Sequence, residues 1–430
     1  MHGRKPSTPE RLSLMLQRLK QADPRLITIL LIVFVQLVGA SMALPLLPLL
    51  AQREFTLSPE AITPLLASFF AAQFVAGPFI GWLSDRYGRV PVLIVSQLGT
   101  VVAFLMLVFA QSVPILYASR IFDGITGGNI IVAQAYITDI SPREKRTETL
   151  GLLFASFGVG FIIGPALGGV LSSFMGPRIP FLVAAIAAAI VVVLTWRNLN
   201  ETLTPDQRAA NRLKGSVSLS PMAVLTNTPL LVVLSIAFAT QIGLGMLQAT
   251  FALYGENVLF VDINPRSTDL SIGLLLSMVG VGQVFTQLFL LRRMVARFGE
   301  GWLVVIGSVL RVISLYMIAA IPSALWVGAA IFLFALASGL LVPSLQTVLT
   351  NTVDDRFRGG VLGLFQSVAS LAIILSTFYG GRIFADNPTL PFLIGAALNF
   401  AVIFPAVVIV IYLRRQNAEM ASATHSPAER

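Results

Sequence analysis

Gly81-Trp-Leu-Ser-Asp-Arg-Tyr-Gly-Arg-Val-Pro-Val-Leu93 stands between two long apolar stretches, and its reading decides the fold. Three charges, Asp85, Arg86 and Arg89, crowd into a segment whose neighbours on both sides are almost wholly apolar. Unpaired charge does not stay in hydrocarbon, so this segment reads as a surface loop between two membrane spans. Gly81 and Gly88 let the backbone turn there, where a Cβ would obstruct it.

Composition extends the reading to the whole chain. Its 430 residues are 56% hydrophobic and only 11% charged, with a mean hydropathy of +0.84. A soluble domain carries about 25% charged residues, so the chain reads as a polytopic membrane protein. There are no cysteines, which excludes disulfides, thiol catalysis and thiolate metal sites. Both histidines, His2 and His425, lie in the polar tails, so no histidine relay or histidine metal cluster can form within the membrane. The spans show no nucleophile–base pair and no phosphate loop, so neither an enzyme nor a cofactor or metal site is expected. The basic start runs straight into a full-length span, and no cleavable signal is expected.

Twelve apolar segments are long enough to cross roughly 30 Å of hydrocarbon. They fall near 26–50, 62–82, 90–110, 113–138, 149–172, 179–197, 229–254, 271–291, 302–321, 324–349, 360–382 and 390–413. Alternate loops differ sharply in basic residues. Both tails and the loops bearing Arg86, Arg89, Arg143, Lys145, Arg146, Arg292, Arg293, Arg356 and Arg358 fall on one side, whereas the other has only Arg53, Arg178, Arg266 and Arg382. The positive-inside rule then makes both tails cytoplasmic. The net charge of +9 is therefore a signature of topology, and no nucleic-acid partner is expected. The expected organisation is a cytoplasmic tail at 1–25, a six-helix bundle at 26–197, a cytoplasmic linker at 198–228, a second bundle at 229–413 and a tail at 414–430.

A shift of 212 residues lays one half on the other. Gly127 falls on Gly339, Gln134 on Gln346, Thr138 on Thr350, Arg146 on Arg358 and Gly151 on Gly363. Parallel repeats of this kind build transporters with a substrate site near mid-membrane between the halves. Features without a counterpart are better candidates for function than shared ones. Asp85 meets Ala296 in a match one residue out of step with that shift, which lays Arg86 on Arg297 and Gly88 on Gly299. In step, Arg120 meets Phe332, Asp123 meets Ala335, and Gly164-Pro165 meets Ser376-Thr377. The coupling chemistry is therefore expected in the N-terminal half.

Arg120 and Asp123 stand at i and i+3 in the fourth span and share a helix face. Asp123 lies roughly 15 Å below the outer end of that helix, near mid-membrane. Desolvation and a neighbouring guanidinium act on it in opposite senses, which suits a carboxylate that takes up and releases a proton. A static ion pair that orients the helix is the alternative. In the fifth span, Gly160-Phe-Ile-Ile-Gly164-Pro165-Ala-Leu-Gly168-Gly169 offers a flat face for close helix approach and a proline that removes a backbone donor. Asp85 is expected to gate, capping the helix that begins near Gly359-Gly360 in the outward-open state, helped by Arg86, Arg89 and Asp139. Arg311, in mid-span, has three readings: contact with an anionic substrate group, a pair with Asp123, or snorkelling toward headgroups. Gln36, Gln73, Gln134, Gln241, Gln248, Gln283, Gln287, Gln346 and Gln366 are candidate cavity residues, since neutral amides hydrogen-bond substrate without adding charge.

The loop Gly81 to Arg89 resembles the segment between the second and third helices of the major facilitator superfamily of secondary transporters, Gly-x-Leu-Ala/Ser-Asp-Arg-x-Gly-Arg. The fifth-span run is similar to the motif Gly-x-x-x-Gly-Pro-x-x-Gly-Gly of drug–proton antiporters. Ser84-Asp-Arg-Tyr-Gly-Arg89, Gly124-Ile-Thr-Gly127 and Ala155-Ser-Phe-Gly158 resemble the tetracycline–proton antiporter group in particular. The resemblance implies an all-α fold of twelve spans in two six-helix bundles. It also implies a bacterial inner-membrane protein, monomeric, that exports small amphipathic molecules in exchange for protons by alternating access. The alternative is a facilitator or proton symporter for a sugar or organic acid; a non-transporting receptor is a more distant one. The resemblance ties Arg120 to proton transfer, with Asp123 a departure from the small or amide residue usual there. Tetracycline antiporters carry acids in the first and third spans, a histidine in the eighth and an acid in the ninth. This chain has Gln36, Ala103, Gln283 and Arg311 at those places, which weakens the case for a cationic drug–metal complex as substrate.

Overall fold

Gly88 adopts φ 110°, a conformation glycine takes without strain, and separates α2 (Pro59–Tyr87) from α3 (Arg89–Val108). This computed structural model describes residues 24–142, 146–204, 206, 208, 226–353 and 358–411. The rest of the first half is α1 (Pro24–Phe55), α4 (Val113–Thr126), α5 (Asn129–Ile140), α6 (Arg146–Met175) and α7 (Ile179–Asn198). The second half comprises α8 (Thr228–Tyr254), α9 (Pro265–Phe285), α10 (Leu291–Phe298), α11 (Glu300–Ala320), α12 (Ala324–Thr350), α13 (Arg358–Asp386) and α14 (Leu390–Ala401). Wide turns at Gly255–Leu259 and Thr286–Leu290 prolong α8 and join α9 to α10. Nearly all of both tails and most of the expected linker lie outside the described residues, as do the segment carrying Arg143 and Lys145 and the one carrying Arg356.

Eleven described helices are long and apolar enough to cross a membrane. The twelfth expected span, 113–138, is divided between α4 and α5 at Gly127-Gly128. Hydropathy averages over a window and cannot register two residues of irregular backbone. The carbonyl of Gly127 is satisfied by Gln73 Nε2 at 3.2 Å, so the interruption is closed from α2 rather than left bare. The helices also overrun the apolar windows: α1 has 32 residues, roughly 48 Å against roughly 30 Å of hydrocarbon.

The repeat seen in the sequence recurs in the packing. In the first half α1 packs on α6 and α7, α2 on α4, and α3 on α4 and α7; in the second, α8 packs on α13 and α14, α9 on α12, and α11 on α12 and α14. The 212-residue shift also carries the first residue of α6, Arg146, onto the first residue of α13, Arg358. Between the halves the main seams are α6 against α9 and α2 against α13, which exchange places under the same repeat.

Three buried apolar clusters show how the halves meet. One, with Leu46, Leu50, Phe104 and Phe181 from the first half and Phe251, Phe334 and Phe392 from the second, is continuous across both. A second lies wholly within the second half around Leu230, Val304, Leu345 and Ile409. The third lies wholly within the first half around Ile29, Leu93, Tyr136 and Leu153. The halves are therefore fused at the end that carries Arg53, Arg178 and Arg382, and keep separate cores at the other.

Candidate functional site

The break after α4 leaves Arg120 and Asp123 one turn apart in its last buried stretch, each about 5% exposed. Arg120 Nη1 stands 3.3 Å from Asp123 Oδ2, and the guanidinium carbon lies 5.9 Å from the ring centres of both Phe69 and Phe104. Thr100 lies beside the Asp123 carboxylate, and Gln36 Nε2 reaches Thr100 Oγ1 at 3.5 Å. Gln36 thus joins a polar chain running from α1 to α3 beside Asp123. Among the described residues, Arg120 Nε and Nη2 and Asp123 Oδ1 have no hydrogen-bond partner. A buried pair so incompletely bonded is expensive relative to a fully satisfied one.

The glycine run on α6 presents two packing faces. Gly160, Gly164 and Gly168 are spaced by four and receive α1: a Cβ would stand 2.8 Å from Leu37 Cβ at Gly160, 2.8 Å from the Val38 carbonyl at Gly164 and 3.1 Å from Met42 Cγ at Gly168. Ser41 Oγ donates to the Gly160 carbonyl at 3.0 Å across this seam. Gly169 faces the other half, where a Cβ would stand 2.7 Å from the Asp269 carbonyl of α9. Gly273 of α9 returns the contact by lying against the Pro165 carbonyl.

The stretch that opened the reading is not a loop but two helix ends meeting at Gly88, with Gly81 inside α2, so only one residue of irregular backbone is needed for the turn. Arg89 is the centre of its contacts. Its Nη1 is 2.7 Å from Asp85 Oδ1 and donates to Ser84 Oγ at 3.0 Å, while Nε donates to Asp139 Oδ2 at 3.0 Å. Arg86 stacks over Trp82, 5.1 Å from the ring centre. In this conformation Asp85 is engaged with Arg89, on its own side of the molecule; the segment leading into α13 lies outside the described residues. Glu201 was missed by sequence reasoning: its carboxylate accepts from the backbone N–H groups of Arg89 and Val90 at 3.0 and 3.1 Å, capping α3. Its distance in sequence concealed it. Glu201→Ala is expected to cost about 1 kcal/mol, the size of a lost cap. A lowered denaturation midpoint of the purified protein would register it.

Polar contacts between the halves gather at the fused end. Arg53 Nη2 pairs with Glu256 at 2.6 Å and its Nη1 with Asp269 at 2.7 Å, and Ser172 of α6 donates to the other Asp269 oxygen. Gln52 bonds Asn257 at 3.0 Å, Thr63 accepts from the Gly381 N–H at 2.8 Å, and Arg382 pairs with Glu60 at 2.8 Å. In the sequence Arg53 served only the charge count, and Glu256 and Asp269 drew no notice, because some 200 residues separate partners that only the fold brings together.

Beneath this network lies a cavity shared by both halves. Ser41 and Leu44 of α1 with Phe161 and Pro165 of α6 form one wall; Leu244, Leu247 and Gln248 of α8, Leu276 and Val279 of α9, and Phe334 of α12 form the other. Pro165, singled out from the motif, lines it, and so does Gln248. Gln36, Gln73, Gln134, Gln241, Gln283 and Gln346 are not among the residues that line this cavity. Gln36 and Gln73 serve the polar chain and the helix break described above. Of the three readings of Arg311, two fall away. It is fully buried, which excludes snorkelling, and it bonds the Thr240 carbonyl and Ser338 Oγ within its own half rather than Asp123.

Two repeated six-span halves closed over a shared, mostly apolar cavity define a membrane transporter of small solutes, not an enzyme. The family model of the Major Facilitator Superfamily matches residues 29–263 and 245–429, and the chain belongs to that superfamily. It is similar to the tetracycline resistance protein, class H, of Pasteurella multocida, 31% identical over 81% of this chain and 86% of that protein. It is also similar to Multidrug resistance protein 2 of Bacillus subtilis, 28% identical over 84% of this chain and 89% of that one. The solved structure of a D-xylose-proton symporter matches with a TM-score of 0.71 over 89% of this chain and 97% of its own, at 17% identity, a likeness of fold alone.

Proposed function

We propose that this transporter exports small amphipathic molecules across the bacterial inner membrane in exchange for protons, by alternating access, with both tails in the cytoplasm. The names of its relatives, which speak of tetracycline and multidrug resistance, support export. The observation that carries proton coupling is the buried, under-bonded Arg120–Asp123 pair in the first half, which has no counterpart in the second. Asp123 accepts and releases the proton, and Arg120 stands beside it as the partner of its carboxylate. The conformation described is the one closed to the outside and parted toward the cytoplasm. Its outer lock is the set of bonds around Arg53, and the Asp85–Arg89–Asp139 cluster holds the inner loop until the halves close there. The units of the cycle are the bundles 26–197 and 229–413, acting within a monomer.

Inverted membrane vesicles with an acid interior test the direction of transport. Lipophilic compounds added outside are expected to accumulate inside only while the gradient lasts; accumulation favoured by the reversed gradient would mean an importer. Arg53→Gln is expected to weaken the outer lock by about 1–3 kcal/mol, as when a partly buried charged hydrogen bond is lost. A cysteine placed at Gln248, in a chain otherwise free of cysteine, would then react with an impermeant maleimide from the outer side several-fold faster than in the parent.

A further inference from the structure

Arg311 is a cation with no exposed surface, and its hydrogen bonds all go to neutral acceptors. Nη1 donates to the Thr240 carbonyl at 2.8 Å, while Nε and Nη2 both reach Ser338 Oγ, at 3.1 and 2.9 Å. These acceptors solvate the guanidinium but leave its charge uncancelled, and among the described residues no ion pair includes it. Its central carbon lies 4.8 Å from the centre of the Phe334 ring, and Phe334 is part of the cavity wall. A single aromatic side chain thus separates an uncancelled cation from the transport cavity. No wall residue is charged, and the carboxylate of Asp123 is engaged with Arg120 in the other half.

Resting on the export reading, we propose that this cavity selects by charge: it takes neutral and anionic amphipathic molecules and turns away organic cations. Arg311 supplies the field and Phe334 is the shutter over it. A bare aromatic wall attracts cations through the negative face of the ring. Here the ring is already occupied by a guanidinium, and a ligand stacked on its free face meets that positive charge at roughly 8 Å through apolar material, where Coulomb forces are weakly screened. The same field attracts a carboxylate or sulfonate carried on a hydrophobic body.

Three probes that share one ring system separate the possibilities: 2-naphthoate, 2-naphthylmethanol and 2-naphthylmethylammonium. Calorimetric titration of each into the purified full-length protein is expected to rank them anion, alcohol, cation, with on the order of tenfold between the ends. Arg311→Gln is expected to collapse that spread, and Phe334→Ala to widen it by uncovering the guanidinium. Should Arg311→Gln fail to fold, Phe334→Ala decides alone. Equal binding of anion and cation by the wild type, or a spread unchanged in Phe334→Ala, would overturn the inference. Binding requires no proton movement, so a failure of antiport would leave a charge preference standing. Binding of none of the three would overturn this inference, while the export reading stands or falls by the vesicle test.

Discussion

Asp123→Asn is expected to reduce proton-coupled export to the level of vesicles lacking the protein, while substrate binding to the purified variant persists. The amide keeps the shape of the carboxylate and loses its capacity to take a proton. It also leaves Arg120 as a buried cation without its counter-charge, a loss that costs about 3–5 kcal/mol when such a pair is broken from one side. Misfolding is therefore a separate outcome to control. The double variant Arg120→Gln with Asp123→Asn restores neutrality, and it should fold and insert yet remain uncoupled. Full coupled export by either variant would remove Asp123 from the mechanism and leave Asp85 and Asp139 as the acids to examine in that half.

The second large effect is expected at the α6–α9 seam. Gly169→Val places a Cβ 2.7 Å from the Asp269 carbonyl and 3.2 Å from Leu270 Cα, both backbone atoms that cannot rotate away. Overpacking of this kind costs about 1–3 kcal/mol, and here separating the halves relieves it. The same separation pulls Ser172 from Asp269 and loosens the hold of Arg53. A shift of that size changes the ratio of outward-open to outward-closed molecules by about 5–150-fold. Transport should fall, and outer-side labelling of a cysteine at Gln248 should rise. Normal transport with unchanged labelling would show that the seam tolerates the branch and that closure does not depend on it.

Much of this was legible in the residues. Charge in a short loop between apolar runs located the second and third spans, and the 212-residue repeat anticipated how each half packs. Arg120 and Asp123 were found because a charge inside a span is conspicuous, and their i,i+3 spacing already placed them on one face. The run from Gly160 to Gly169 advertised close packing, but only the fold divides it between α1 and α9. What stayed hidden depends on rotation about a helix axis or on long-range pairing. A glutamine reports that a helix carries an amide, not where the amide points, so Gln36 and Gln73 looked like cavity residues although they bond Thr100 and Gly127. Arg311 was conspicuous for the same reason as Asp123, but its position one layer behind Phe334 depends on the orientation of α11 against α12. The Arg53, Glu256 and Asp269 network joins residues from loops and helix ends that look like ordinary surface charge until the halves are placed together.

The most direct measurement follows protons and compound together in one preparation of acid-loaded inverted vesicles. Each addition of a transported compound should release protons from the interior as the compound accumulates, in a fixed ratio, and a protonophore should abolish both. Accumulation with no accompanying proton release, or one that survives collapse of the gradient, would contradict proton antiport.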